Sequence, residues 1–157
     1  MSDNEQIIWQ GRPSQMLNFK VYLIVAVIAI IIIILSFAWY GWMFWFIIIP
    51  LAYAMQKFLI VNSIHYELTS ERIRVITGIF SKNFEEIELY RVRDYSIIQP
   101  FFLRIFSLGN VMLKTSDKTM PELTLTAIRD FIDVKDKIRE RVEILRREKD
   151  IKEIDYT

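Results

Sequence analysis

The sequence predicts a membrane α+β protein: a two-helix transmembrane hairpin, then a small antiparallel β-sandwich or open barrel closed by a C-terminal capping helix. Three observations carry this. Residues 21–56 are 36 consecutive positions without Asp, Glu, Lys, Arg or His, whereas residues 62–157 hold 17 basic and 17 acidic side chains. After residue 61 the apolar pattern becomes alternating, the period of a half-buried strand, and from residue 131 it takes helical spacing.

Residues 1–18 are expected to form an N-terminal interfacial segment. In "WQGRPS", Trp9 suits the headgroup level, and Gly11 and Pro13 would turn the chain before the first helix.

Residues 19–61 are expected to form the hairpin. A hydrocarbon core of roughly 30 Å takes about 20 helical residues, and the uncharged run would make about 54 Å of helix, too much for one ordinary span. Two spans fit, at about 21–38 and about 42–61, with Trp39, Tyr40 and Gly41 as the tight connection. Glycine frees the backbone to reverse, and the rings of Trp39, Tyr40, Trp42 and Trp45 suit the membrane–water interface. A cleaved signal fits poorly: the run begins only after Lys20, is too long, and lacks a small-x-small cleavage site. A buried hairpin in a soluble protein fits poorly too, because Ile30 to Ile34 followed by Leu35 leaves no polar face. Pro50 is expected to kink the second span. Arg12, Lys20 and Lys57 flank the spans and the tip carries no positive charge, which predicts a multi-pass inner (plasma) membrane protein with both termini cytoplasmic.

Residues 62–150 are expected to form the folded domain and 151–157 a tail. "SIHYELT" places Ile64, Tyr66 and Leu68 on one face, and "RIRVITG" does so with Ile73, Val75 and Thr77, with a turn at Ser70 and Glu71. Further strands are expected at 84–89, 91–98, 110–116 and 122–128, joined by turns at Gly78, 81–83, Gly109-Asn110 and 116–121. Phe131, Val134, Ile138, Val142 and Leu145 then form one apolar stripe on a helix, with Asp133–Lys137, Glu143–Arg147 and Glu148–Lys152 as outward pairs. The stripe either caps the open sheet or serves as an oligomer seam.

Composition removes several function classes. The chain has no cysteine, which excludes disulfides, thiolate metal sites and a cysteine nucleophile; its lone histidine, His65, excludes multi-histidine sites. A net charge of +1 gives no general affinity for nucleic acid or anionic lipid, which leaves only local patches. His65 lacks a Ser or Cys motif nearby and reads as a surface or interface residue. Asp94 beside Arg93 reads as a structural ion pair. Glu85, Glu86 and Glu88 lack a metal-binding loop and read as a solvated strand. No enzyme, cofactor, metal or small-molecule substrate is expected. In "PFFLRIF", residues 100–106, Phe101, Phe102, Leu103, Ile105 and Phe106 exceed what a turn needs; the segment either plugs the barrel as a short helix or contacts the bilayer or a partner.

Three phrases carry a resemblance: "WQGRPS" at 9–14, "YELTSERIRVITGIF" at 66–80, and "IELYRVRDYSIIQPFFLRIFSLGNVML" at 87–113. They resemble the bacterial PH-like (pleckstrin-homology-like) membrane protein family, in which a helical hairpin precedes a PH-type domain. Arg93-Asp94, Gln99, Arg104 and Gly109 fall in that family's order, while the chain after Thr115 matches in outline. The resemblance implies a PH-like fold, a membrane location, and assembly with itself or with related membrane proteins. It implies no enzyme. Eukaryotic PH domains that bind phosphoinositides carry basic residues around the first hairpin, which makes Arg72, Arg74, Arg91 and Arg93 candidate contacts for anionic lipid, close to the neutralising Glu67, Glu71 and Asp94. The expected role is therefore protein interaction or self-assembly at the cytoplasmic face. Anionic-lipid sensing and a small anchoring subunit of a larger complex are the alternatives.

Overall fold

Strand β1 (Ile7–Gly11) lies antiparallel to strand β2 (His65–Thr69), with Gly11 opposite Tyr66, so the two helices between them leave and re-enter the domain at one place. The computed structural model describes residues 5–38 and 41–154, with side chains up to Lys149. Trp39 and Tyr40, expected at the hairpin tip, lie outside the described residues, as does most of the expected tail.

A 3₁₀ turn at Gln15–Asn18 opens the hairpin, with the Ser14 hydroxyl accepting from the Met16 N–H as its cap. Helix α1 (Phe19–Ala38) follows, then a 3₁₀ segment (Gly41–Ile47) that runs into helix α2 (Ile48–Asn62). Pro50, expected to kink the second span, sits in the first turn of α2, directly after the change from 3₁₀ to α winding. A proline there has no N–H to bond the Phe46 carbonyl, and the backbone just before it is wound as 3₁₀. Two helical stretches, 15–38 and 41–62, are long and apolar enough to cross a membrane, and only 11% of each apolar window is buried. That figure counts against a soluble-core hairpin, whose apolar faces would be covered by the rest of the chain.

The hairpin base is polar. Asn18 donates to the Lys57 carbonyl (2.9 Å) and Gln15 to the Phe58 carbonyl (3.2 Å), while the Tyr22 hydroxyl donates to Gln15 (2.8 Å). These bonds tie the start of α1 to the end of α2 and fix the helices as an antiparallel pair.

The first sheet continues from β2 to β3 (Arg72–Thr77) and β4 (Asn83–Glu88), in the order β1-β2-β3-β4. A second sheet has the order β5-β6-β7: Val92–Ile98, Gly109–Thr115 and Glu122–Ile128. Each expected strand forms within a residue or two. The sheets pack face to face without closing into a barrel, and the open side is covered by helix α4 (Phe131–Ile154). Its stripe of Val134, Ile138 and Val142 is buried against Leu68, Ile73, Leu113 and Leu125, with Phe131 and Leu145 at the margin. The stripe thus serves the domain's own core. Outside, Lys137 pairs with Asp133 as expected, but Glu143 pairs with Arg139.

The N-terminus differs from expectation. Residues 7–11 are a strand of the domain, and Trp9, expected at the membrane interface, lies opposite Leu68 and packs against the main core. An edge strand gains a ladder of backbone bonds and buries one apolar face, which for these residues outweighs a headgroup contact.

Candidate functional site

The structure has two chemically distinct ends. In an antiparallel order β1-β2-β3-β4 the first and third connections emerge at one end and the second at the other. The helical hairpin, as the β1–β2 connection, therefore shares its end with the β3–β4 turn. The second sheet presents its β5–β6 connection there too, because the Ser14 N–H at the hairpin base donates to the Ala127 carbonyl at the end of β7 (2.9 Å).

That β5–β6 connection is the phenylalanine-rich segment. Phe101–Ile105 is one helical turn, α3, closed by a Schellman motif: the Leu108 N–H bonds the Leu103 carbonyl (2.8 Å), the Ser107 N–H bonds the Arg104 carbonyl (3.1 Å), and Ser107 takes the left-handed conformation at φ 54°. Gln99 fastens the segment from below by donating to the Leu108 carbonyl (3.0 Å). Leu103, Leu108 and Ala127 form a small buried cluster that seats it. The plugging reading is thus realised at Leu103 alone. Leu103 plugs the sheet end, while Phe101 (73% exposed), Phe102, Ile105 and Phe106 stay on the surface.

This apolar platform touches the start of α1. Phe19 packs at 6.4 Å from Phe102 and 6.0 Å from Phe106 between ring centroids, and the Lys20 ammonium lies 5.1 Å over the Phe102 ring. At the opposite end of the hairpin, Trp42 and Trp45 are exposed on the 3₁₀ segment, and Trp42 packs on Phe46 at 5.6 Å.

The other end of the sheets is charged. Arg72, Glu86, Glu88, Arg91 and Asp117 line one small polar cleft of about 200 Å³. Three of the four candidate lipid-binding arginines are already paired. Arg72 and Arg74 both reach Glu5 (3.2 and 3.1 Å) and Glu86 (3.2 and 3.1 Å), and the Glu5 side chain is only 1% exposed. Arg91 reaches Glu88 (2.9 Å) and Asp117 (3.0 Å). Arg74's hydrogen bond, assisted by Arg72, holds the Glu86 carboxyl below its ordinary value against the opposing effect of burial. Thr119's hydrogen bonds, then Arg91, lower Asp117 in the same way. Burial would lower the Arg72 guanidinium, but Glu5, Glu86 and Glu71 more than offset it and raise it. Arg93 sits at a β-bulge, where the β5–β6 register shifts between Val92 and Asp94. It makes no ion pair among the described residues, and the pair expected with Asp94 is not formed. Asp94 instead accepts from the Tyr95 N–H (2.8 Å).

The residues weighed for chemistry have structural partners. His65 Nδ1 lies 3.1 Å from the Ser63 carbonyl, and Glu85 accepts from Asn83 (3.2 Å). Among the described residues no group of three His, Cys, Asp or Glu side chains is placed to hold a metal.

Sequence reasoning did not reach the junction that holds the hairpin. A register shift in the β6–β7 ladder frees the N–H groups of Thr126 and Ala127. The Tyr66 hydroxyl accepts the first (3.2 Å) and Asn110 Oδ1 the second (2.8 Å), with Ala127 left-handed at φ 48°. Tyr66 also bonds Thr126 Oγ1 (3.0 Å). One bulge therefore joins the first sheet, the second sheet, α3 and the hairpin base. The only local sign of it is a buried tyrosine on the strand that follows the hairpin.

A four-stranded and a three-stranded antiparallel sheet packed together and capped by a terminal helix define a PH-like domain, here with an apolar helical hairpin set between its first two strands. The chain matches the family described as Bacterial PH domain over residues 15–142, well over half its length, and it belongs to that family. Among solved structures it is similar to a DUF1696 family protein with a pleckstrin-homology domain from Shewanella loihica, at a TM-score of 0.43 and 11% identity, covering 52% of this chain and 73% of that one. No curated protein matches it.

Proposed function

We propose that this chain is a non-enzymatic, membrane-anchored PH-like module that assembles with further copies of itself. The two apolar helices cross the inner (plasma) membrane as a hairpin, and the domain and both termini lie in the cytoplasm. The observation that carries the anchoring is the pairing of β1 with β2 around helices whose apolar faces the described residues leave uncovered. Lipid supplies the missing cover, and the strand pairing keeps both flanks on one side. Lys20 and Lys57 at the hairpin base, with Arg104 on α3, agree with a cytoplasmic base. Families of PH-like domains are in general non-catalytic, which supports the non-enzymatic part of this reading.

The self-assembly surface in this reading is the α3 platform. Phe101, Phe102 and Ile105 are apolar, exposed and held rigid by a capped turn, which lowers the ordering cost of docking. In-cell crosslinking through a reporter on α3, followed by mass measurement of the chain extracted in mild detergent, tests it. Oligomers crosslinked through α3 are the expected result. A strict monomer with no crosslinked species contradicts the reading, and capture of a related membrane protein instead would replace self-assembly by hetero-assembly.

Anionic-lipid sensing has weaker support. Arg72 and Arg91 lie at the end of the sheets away from the hairpin, and Arg72, Arg74 and Arg91 already have carboxylate partners.

A further inference from the structure

We propose that the β3–β4 turn, through Ile79 and Phe80, is a lipid-contacting wedge that enters the acyl-chain region of the leaflet nearest the domain, alongside α2. The inference rests on the reading that the hairpin crosses the bilayer.

The first support is position. The β3–β4 turn emerges at the same end of the sheet as the hairpin and faces α2 across an apolar groove of about 770 Å³. Ala52, Met55 and Leu59 form the helical wall, with Ile79 and Phe80 opposite. These α2 positions, spaced by three and four, share one face of the helix. If Gly41 marks the far interface, the 3₁₀ segment up to Ile47 rises about 14 Å and about 11 residues of α2 complete the roughly 30 Å, reaching the near interface at around Phe58. Ala52 and Met55 then lie within the hydrocarbon of the near leaflet and Leu59 at its edge, level with the polar base at Lys57 and Phe58, so a turn beside them reaches from the headgroups into the acyl chains.

The second support is chemistry. Residues 75–81 carry no charge, and Lys82 follows at once, the order expected of an apolar tip beneath a headgroup-level base. The Phe80 side chain is fully exposed, and Ile79 and Phe84 are exposed beside it. Among the described residues nothing covers Phe80. Gly78 holds the turn at φ 109°, where an added Cβ would overlap the Ser81 carbonyl oxygen, so the tip is a tight, shaped turn. The occupant of the groove is therefore acyl chain, continuous with the lipid around α2.

The absence of cysteine makes a depth measurement clean. Single nitroxide labels are placed at Phe80→Cys, Ile31→Cys in mid-α1 and Lys118→Cys on the β6–β7 turn, in the full chain reconstituted in phosphatidylcholine–phosphatidylglycerol vesicles. Collision with dissolved oxygen and with a water-soluble nickel chelate is then measured. The expected result is high oxygen and low nickel accessibility at positions 80 and 31, and the reverse at 118. Nickel access at 80 with oxygen access at 31 overturns the wedge and leaves the hairpin standing. Nickel access at both overturns the wedge together with the membrane reading. Shielding of position 80 from both reagents means that protein covers the tip, and it overturns the lipid assignment.

Discussion

Gly11 and Tyr66 face each other across the first ladder although the entire helical hairpin separates them in sequence. The hairpin is thus an insertion within a sheet, and β1 belongs to the domain. Residues 62–157 alone should lack an edge strand and leave the outer face of Leu68 open to water. We expect this fragment to lose cooperative unfolding, whereas a chain in which residues 13–63 are replaced by a short Gly/Ser loop keeps it. Denaturant melts of the two variants check this, and equal behaviour would contradict the role given to β1.

The junction at the β7 bulge should be sensitive to one oxygen atom. Tyr66→Phe removes the acceptor for the Thr126 N–H and leaves a part-buried donor unpaired. A loss of about 1–2 kcal/mol is expected, read from the shift in unfolding midpoint at constant slope. A neutral result would mean that water or a shifted backbone replaces the hydroxyl.

Gly109 begins β6 beneath the Phe131 ring, and a Cβ there would come within 2.6 Å of the ring carbon Cγ. Gly109→Ala should therefore lift the start of α4 from the sheet and destabilise the domain by about 1–3 kcal/mol. Phe131→Leu in the same chain should recover part of that loss, and additivity of the two substitutions would argue against this contact as the cause.

The Glu86 carboxyl, ordinarily at 4.5, is lowered in the folded chain by Arg74 and Arg72. A lowered folded value contributes stability that is present above 4.5 and lost as pH falls through the folded value. Thermal melts of the wild type and Glu86→Gln should accordingly differ at neutral pH and converge in acid. A difference that persists unchanged in acid would show that the carboxylate charge is not the source.

On the α3 platform, Phe101→Asp changes a side chain that is exposed and outside the buried clusters, so the melting midpoint should hold within about 0.5 kcal/mol. The population of crosslinked oligomers should fall severalfold. If assembly is unchanged while the fold is intact, another surface carries it.

Much of this was legible because the signals are local. Strict alternation marks Tyr66 and Leu68, the steps of three and four from Phe131 to Leu145 mark α4, and an uncharged run marks the helical pair. What escaped is set by partners distant in sequence. Ile7 and Ile8 give no alternation, and β1 exists because β2 returns beside it. Glu5 is buried where Arg72, Arg74 and the Thr69 hydroxyl, all distant in sequence, reach it. Arg93 and Asp94 are neighbours in sequence, yet the bulge at Arg93 places Asp94 on a backbone N–H instead. The Schellman turn after α3 was hidden because Ser107, rather than the customary glycine, takes the left-handed position.

The placement of the domain depends most on the two apolar helices crossing the bilayer and returning. In spheroplasts, single cysteines at Gly41→Cys on the hairpin tip and Lys118→Cys on the domain are exposed to a membrane-impermeant maleimide. Position 41 should be labelled from outside, and position 118 only after the membrane is permeabilised. Labelling of both positions from the same side would contradict the crossing.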